Sequence, residues 1–210
     1  MSKNTELRIE LIQTAQEISP AGLGLGTSGN VSVRVEGGFL VTPSALPYDQ
    51  CRNEDIVFVD MDGGFQGKRK PSSEWRFHRD IYASRDDANA ILHAHSPACT
   101  ALACLHKSMP AFHYMIAVAG GDDIRCATYA TYGTQELSDN ALKALAGRTA
   151  CLLANHGMIA MGEDLQQAFS VALEVEELAS IYSQALKMGE PKILSKQQMA
   201  EVLEKFKDYR

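Results

Sequence analysis

Short apolar runs of strand length alternate with segments of helical period along this chain, and that alternation constrains its fold more than any other feature. Leu7, Leu11, Ile12, Ala15 and Ile18 form one helical stripe that Pro20 ends, which predicts a first helix over 7–18. A glycine-rich loop over 22–30 follows. Runs over 31–35 and 39–42, joined by Glu36-Gly37-Gly38, read as a hairpin, and 56–59 before Asp62-Gly63-Gly64 reads as a further strand. Ser72 and Ser73 offer caps for a helix carrying Trp75, His78, Ile81 and Tyr82. Strand-like stretches then fall at 90–95, 112–118, 125–129 and 150–154. Helices are expected at 97–105, at 134–145, at 165–187 ending on Gly189 and Pro191, and from Ser195. Interleaving of this kind, with hairpins early, predicts an α/β layered architecture around a mixed sheet.

The 210 residues, 45% of them hydrophobic, suffice for one sizeable core, and no repeat, low-complexity tract or long Pro/Ser linker marks a boundary, so a single domain over 1–210 is expected. Twenty basic residues against 26 acidic ones give a net charge of -6, and beyond Lys68, Arg69 and Lys70 there is no basic stripe. Nucleic acid is therefore not an expected partner. No apolar run approaches the roughly 20 residues of a membrane-spanning helix, and the polar start lacks a signal-peptide pattern, so neither a membrane partner nor export is expected. Cys51, Cys99, Cys104, Cys126 and Cys151 form no CxxC pair and fit reduced packing residues of a cytoplasmic protein.

Gly24-Leu-Gly26-Thr-Ser-Gly29 satisfies the dinucleotide pattern G-x-G-x-x-G, but that fingerprint follows a strand and opens a helix, whereas here a helix precedes and a strand follows. A Rossmann reading is rejected. The loop remains either an anion-binding nest or a plain turn. The informative signal is Ile91-Leu92-His93-Ala94-His95. Residues i and i+2 of a strand share a face with Cα atoms roughly 6.6 Å apart, so two imidazoles there can converge on one ion. His156, where the run 150–154 ends in a turn, can supply a third, and three histidines with an open position are the pattern of catalytic zinc. His78, His106 and His113 lack such spacing. At Lys70-Pro-Ser-Ser-Glu74, Ser72 and Ser73 at a helix start suit a phosphate. Glu74 there is either an ordinary first-turn acid or, beside a metal, an acid/base.

Together with these residues, an ordered series spans nearly the whole chain: Gly26-Thr-Ser-Gly-Asn30, Val41-Thr-Pro-Ser44, Lys70-Pro-Ser-Ser-Glu74, His93-Ala-His95, His113-Tyr-Met-Ile116, Ala130-Thr-Tyr-Gly-Thr134, Asn155-His-Gly157 and Glu204-Lys-Phe-Lys207. In this series the chain resembles the class II aldolase/adducin family, within it the branch that cleaves L-fuculose 1-phosphate. The resemblance implies a three-layer α/β/α sandwich with a central mixed sheet, assembled as a homotetramer. It implies a Zn²⁺ ion on His93, His95 and His156, with Glu74 as acid/base and as a fourth ligand before substrate enters. Gly29, Asn30, Ser44, Ala45, Ser72 and Ser73 would line the substrate phosphate. Tyr114 would act across a subunit interface on the aldehyde oxygen, and Tyr132 and Tyr209 would border the aldehyde. The implied reaction is reversible cleavage of a ketose 1-phosphate to dihydroxyacetone phosphate and an aldehyde such as L-lactaldehyde, with no Schiff-base lysine.

Three departures stand out. Ala45 occupies a position where that branch usually has Gly, Tyr132 replaces an expected Phe, and the sequence stops at Arg210, earlier than is usual. They make an aldolase for 5-deoxy- or 5-methylthio-ribulose 1-phosphate the alternative. A pentulose-phosphate 4-epimerase fits less well, since such relatives carry Asp where Glu74 stands, and an adducin-like module without chemistry would be expected to have lost the histidines.

Overall fold

The computed structural model describes residues 3–207, and Tyr209 lies outside them. Helix α1 (Lys3–Glu17) leads through the glycine-rich loop into the hairpin of β1 (Asn30–Val35) and β2 (Gly38–Val41), which β3 (Val57–Asp60) and β4 (Phe65–Gln66) extend. Then come α2 (Trp75–Ser84), β5 (Ala90–Ala94), α3 (Pro97–Cys104), the short β6 (Met109–Pro110), β7 (Asp123–Ile124) and β8 (Cys126–Ala127), and α4 (Gln135–Ala144). The chain continues through β9 (Ala150–Leu153), β10 (Gly157–Gly162), α5 (Leu165–Met188) and α6 (Lys196–Phe206). Eight strands form one sheet in the order β4-β3-β2-β1-β5-β10-β9-β8. Its pairs are antiparallel except β8 with β9, so the sheet is mixed as expected.

The pleat sends alternate residues of each strand into different cores. On β5, Ala90, Leu92 and Ala94 join Leu11 of α1, Leu102 of α3 and Val171 of α5 in one cluster. Ile91 instead joins Phe77, Ile81 and Tyr82 of α2 and Leu137 and Ala141 of α4 on the opposite face. Helices therefore cover both faces. His93 stands two residues beyond Ile91, so the pleat turns it toward α2. Local chemistry fixes the helix starts: Thr134, Asp164 and Ser195 accept the N–H groups of Leu137, Gln167 and Gln198 respectively.

Several expectations need correction. Residues 112–118 do not form a strand: Tyr114–Ala119 is a 3₁₀ helix, in which Ile116 N–H donates to the His113 carbonyl at 3.1 Å and Gly120 N–H to that of Ala117 at 2.9 Å. The His113 ring also accepts the Met115 N–H at 3.2 Å, which seeds the turn. The stretch 125–129 pairs only through Cys126–Ala127. Strand β10 is unheralded in the sequence reading, because Gly157-Met-Ile-Ala-Met-Gly162 is buried throughout and has no polar alternation. Neither Ser72 nor Ser73 is the N-cap of α2: Glu74 takes that place without a side-chain cap, and Ser72 Oγ accepts the Glu74 N–H at 3.3 Å.

Candidate active site and metal centre

At the centre of the sheet, β5 lies between β1 and β10, with His93 opposite Asn30 on one side and Ile159 on the other. His95 follows just past the end of β5. His156 sits in the turn between β9 and β10, where Asn155 takes a left-handed φ of 54°, a conformation Asn tolerates better than most residues. The Asn155 N–H donates to the Ala103 carbonyl at 3.1 Å and its Oδ1 lies 2.6 Å from His106 Nε2, so backbone and side chain of this one residue both hold the turn. Gly157 lets the strands close: a Cβ there would lie 2.3 Å from the Ala94 carbonyl oxygen. Glu74 arrives from the start of α2.

Among the described residues, Glu74, His93, His95 and His156 form the one group of three or more possible metal ligands, their donor atoms all within 4.8 Å of one another. His93 Nε2 is 2.9 Å from His95 Nε2 and 3.2 Å from Glu74 Oε2, and His156 Nε2 is 3.3 Å from Glu74 Oε1. His93 Nδ1 lies 2.8 Å from the Met158 carbonyl, to which it can only donate, so its Nε2 lone pair faces the cluster. Glu74 Oε1 is buried without a hydrogen-bond donor. Ring lone pairs and an orphaned carboxylate oxygen converging on one point form a donor set that fits a divalent cation.

Burial lowers the His93 ring, but Glu74, by charge and hydrogen bond, outweighs it and raises the ring above its ordinary value, so a cation binding there displaces an Nε2 proton. Burial pushes the Glu74 carboxyl up, but His93, by charge and hydrogen bond, with His156 and Asn30, overcomes this and holds it well below the usual carboxylate range. Burial lowers His95 to about 4, and burial with the neighbouring His93 lowers His156 to about 3. At neutral pH both rings keep a lone pair available for a ligand.

Beside this cluster opens a cavity of about 330 Å³. Its wall includes all six residues expected around a phosphate, Gly29, Asn30, Ser44, Ala45, Ser72 and Ser73, together with Glu74, His95, His156 and Tyr132. Two loops are stitched together to build it: Ser44 N–H donates to the Lys70 carbonyl at 3.1 Å and Ser72 N–H to that of Thr42 at 3.0 Å. Gly29, at φ 91°, comes so close to β5 that a Cβ would lie 2.6 Å from the His93 carbonyl oxygen. The Asn30 carboxamide points inward, its Nδ2 donating to Glu74 Oε2 at 3.0 Å and its Oδ1 facing His78 Nε2 at 2.5 Å. Ala45 adopts a left-handed φ of 56°.

His93 is fully buried behind the cavity. Tyr114 is not in its wall; it begins the 3₁₀ helix, 51% exposed, with its ring 4.9 Å from that of His113. Sequence reasoning did not single out Tyr129 and Asn155, which also line the cavity. Tyr129 adjoins the Ala130-Thr-Tyr-Gly-Thr134 motif, and Asn155 opens Asn-His-Gly157, a turn signal beside a metal-ligand candidate.

Known proteins resemble the chain over nearly its whole length. Residues 9–183 match the family described as Class II Aldolase and Adducin N-terminal domain. The 5-methylthioribulose-1-phosphate/5-deoxyribulose-1-phosphate aldolase of Rhodospirillum rubrum is 55% identical over 203 residues, covering 97% of this chain and 92% of its own length. The L-fuculose phosphate aldolase of Escherichia coli K12 is 48% identical over 210 residues, covering 100% and 97%. A solved L-fuculose 1-phosphate aldolase superposes with a TM-score of 0.94 at 45% identity, covering 99% of this chain and 98% of its own. With the central mixed sheet, the helices on both faces and the intact cluster of three histidines and a glutamate, these likenesses establish that the chain belongs to the class II aldolase family and is an aldehyde-lyase.

Proposed function

We propose that the protein cleaves a ketose 1-phosphate reversibly between C3 and C4, giving dihydroxyacetone phosphate and an aldehyde. The observation that carries this reading is the junction of two half-sites, the four-donor cluster and a cavity whose far wall is backbone and hydroxyl groups suited to a phosphate ester. His93, His95 and His156, with Glu74, would hold one Zn²⁺ per subunit, which when bound supplies electrophilic stabilisation for the negative charge that develops on the carbonyl side of the breaking bond.

The chain's own residues do the rest. Gly29, Ser44, Ala45, Ser72 and Ser73, with the backbone of Asn30 beside them, grip the phosphate, aided by the start of α2, and so fix C3 beside Glu74. In the condensing direction the Glu74 carboxylate removes a proton from C3, C3 attacks the aldehyde carbon, and the new C4 oxygen takes a proton from Tyr114. Cleavage is the reverse: the Tyr114 phenolate takes the C4 hydroxyl proton, the C3–C4 bond breaks with its electron pair kept by the three-carbon fragment, C4 departs as the aldehyde, and Glu74 returns its proton to C3. Tyr114 handles the proton on the aldehyde oxygen. It stands half-exposed outside this chain's own cavity, which supports a role in the cavity of a neighbouring copy within a homotetramer. Tyr132 borders the aldehyde tail, a part the resemblance also gives to Tyr209. We place this activity in the cytoplasm, in a one-domain enzyme.

The aldehyde itself separates two readings. L-lactaldehyde follows from the fuculose-phosphate relatives, whereas the higher identity to the Rhodospirillum rubrum relative favours acetaldehyde or methylthioacetaldehyde, from 5-deoxy- or 5-methylthio-ribulose 1-phosphate. Condensing each aldehyde with dihydroxyacetone phosphate and comparing kcat/KM decides between them. For the chemistry itself, His93→Ala is expected to lose both bound metal and cleavage. Glu74→Gln should still bind the phosphate but lose kcat by about 10²- to 10⁴-fold, the worth of a positioned acid/base. Full activity in metal-free protein, or in Glu74→Gln, would overturn the reading.

A further inference from the structure

Behind Glu74 runs a chain of buried polar side chains that the proposed reaction does not use. Asn30 and Ser32, at i and i+2, share one face of β1, while Glu74, His78 and Tyr82, at i, i+4 and i+8, share one stripe at the start and along the length of α2. Two strand residues advance about 6.6 Å and four helical residues about 6.0 Å, so the rows stay in step and each strand side chain falls between two helix side chains. Asn30 bridges Glu74 and His78. Ser32 Oγ lies 2.7 Å from His78 Nδ1 and 2.7 Å from the Tyr82 hydroxyl, bridging those two. Ser32 and His78 are fully inaccessible, and Tyr82 is 1% exposed.

The direction of every bond in this row is determined by its end. A carboxylate only accepts, so the Asn30 amide nitrogen faces Glu74 and its oxygen faces His78. An amide oxygen only accepts, so His78 carries its proton on Nε2. Its bare Nδ1 then accepts the Ser32 hydroxyl proton, and Ser32 Oγ accepts that of Tyr82. Four side chains thus donate in one sense, toward the carboxylate that ends the row.

We infer that His78, through Ser32 and Tyr82 on one side and Asn30 on the other, is a positioning residue that locks the Asn30 amide with its N–H toward Glu74 and thereby aims the Glu74 carboxylate at the substrate carbon. Without the His78 donor, nothing in this row prevents the Asn30 amide from turning its oxygen toward Glu74, which would repel the carboxylate and release it from its bearing. Burial holds the His78 ring down at about 3, so the ring stays neutral in the one tautomer the row demands. The inference rests on Glu74 being the proton-transfer group.

The test starts on the unmodified, metal-loaded protein labelled with ¹⁵N at histidine, His78 being identified by the resonance missing from His78→Gln. Ring nitrogen shifts should report a neutral Nε2–H tautomer that does not change between about pH 5.5 and 8.5. An Nδ1–H tautomer or a charged ring would overturn the inference, whatever the activity. In kinetics, His78→Leu should lower kcat by about 10- to 100-fold with KM much less affected. Ser32→Ala should lower it by about 10-fold or less, the worth of one hydrogen bond. His78→Gln, whose amide can still donate to Asn30, should recover most of the loss seen in His78→Leu. Equal losses in the Leu and Gln variants, or a loss confined to KM, would reduce His78 to a packing residue. Should Glu74→Gln itself turn over normally, the proposed reaction fails rather than the positioning row; should Glu74→Gln be inactive while Ser32→Ala and a folded His78→Leu keep wild-type kcat, the row alone fails.

Discussion

Ala45 carries the clearest conflict between side chain and backbone in the cavity wall. Its φ of 56° lies in the left-handed region, where a Cβ meets the following carbonyl oxygen and costs roughly 1–2 kcal/mol that glycine avoids. The loop keeps its shape because the paired contacts of Ser44 with Lys70 and Ser72 with Thr42 determine it on both sides. Ala45→Gly is therefore expected to raise unfolding stability by about 1 kcal/mol, less whatever the freer unfolded chain takes back, without loosening phosphate binding. Chemical denaturation and KM for the ketose phosphate would check both halves, and a clear loss of stability would show that the site is not strained. The same residue illustrates what one letter of sequence can carry. A departure from Gly at position 45 was visible, but the backbone angle that gives it a cost was not.

At the scale of elements, α2 matters most, since its N-cap position brings in Glu74 and its far face holds α4. That second contact runs through Asp80, which accepts from Ser138 Oγ at 2.6 Å, Gln135 Nε2 at 2.6 Å and Arg79 Nε at 2.7 Å. Burial pushes the Asp80 carboxyl up, and these donors overcome it and hold it below its ordinary value. A depressed carboxyl contributes stability that is fully present above the unfolded value near about 4 and is lost as pH falls through the folded one. Asp80→Ala should cost about 2 kcal/mol at pH 7, and its deficit against wild type should shrink on acidification below about pH 4. A deficit that is independent of pH would mean packing alone joins the helices. The helices and the early hairpin were legible because stripes, caps and glycine turns are local. The 3₁₀ helix Tyr114–Ala119 and strand β10 were not, because an unbroken apolar run suits a buried strand or a buried helical turn equally, and tertiary contacts decide between them.

Across the whole molecule, the donor cluster draws on three places far apart in sequence: the start of α2, the end of β5 and the turn before β10. An ion held there cross-links the middle of the sheet to a helix layer. At a free concentration about 1,000 times its Kd, a bound ion adds roughly 4 kcal/mol. Stripping it with a chelator should then lower Tm by about 8–16 °C for a chain of this size, and metal return should restore it. An unchanged Tm would mean the four donors hold nothing. The convergence was legible in outline, since His-x-His and Asn-His-Gly are local patterns, but the row through Asn30, Ser32, His78 and Tyr82 emerges only when β1 is laid against α2. The glycines at 29 and 157 carry a last consequence. With carbonyl oxygens of β5 standing 2.6 and 2.3 Å from where a Cβ would be, neither position has room to vary. Natural drift or a laboratory library can repaint the exposed rim at Tyr129 and Tyr132, while the backbone approaches at Gly29 and Gly157 stay frozen; descendants of this sequence would vary at the mouth of the cavity and remain uniform where it meets the sheet.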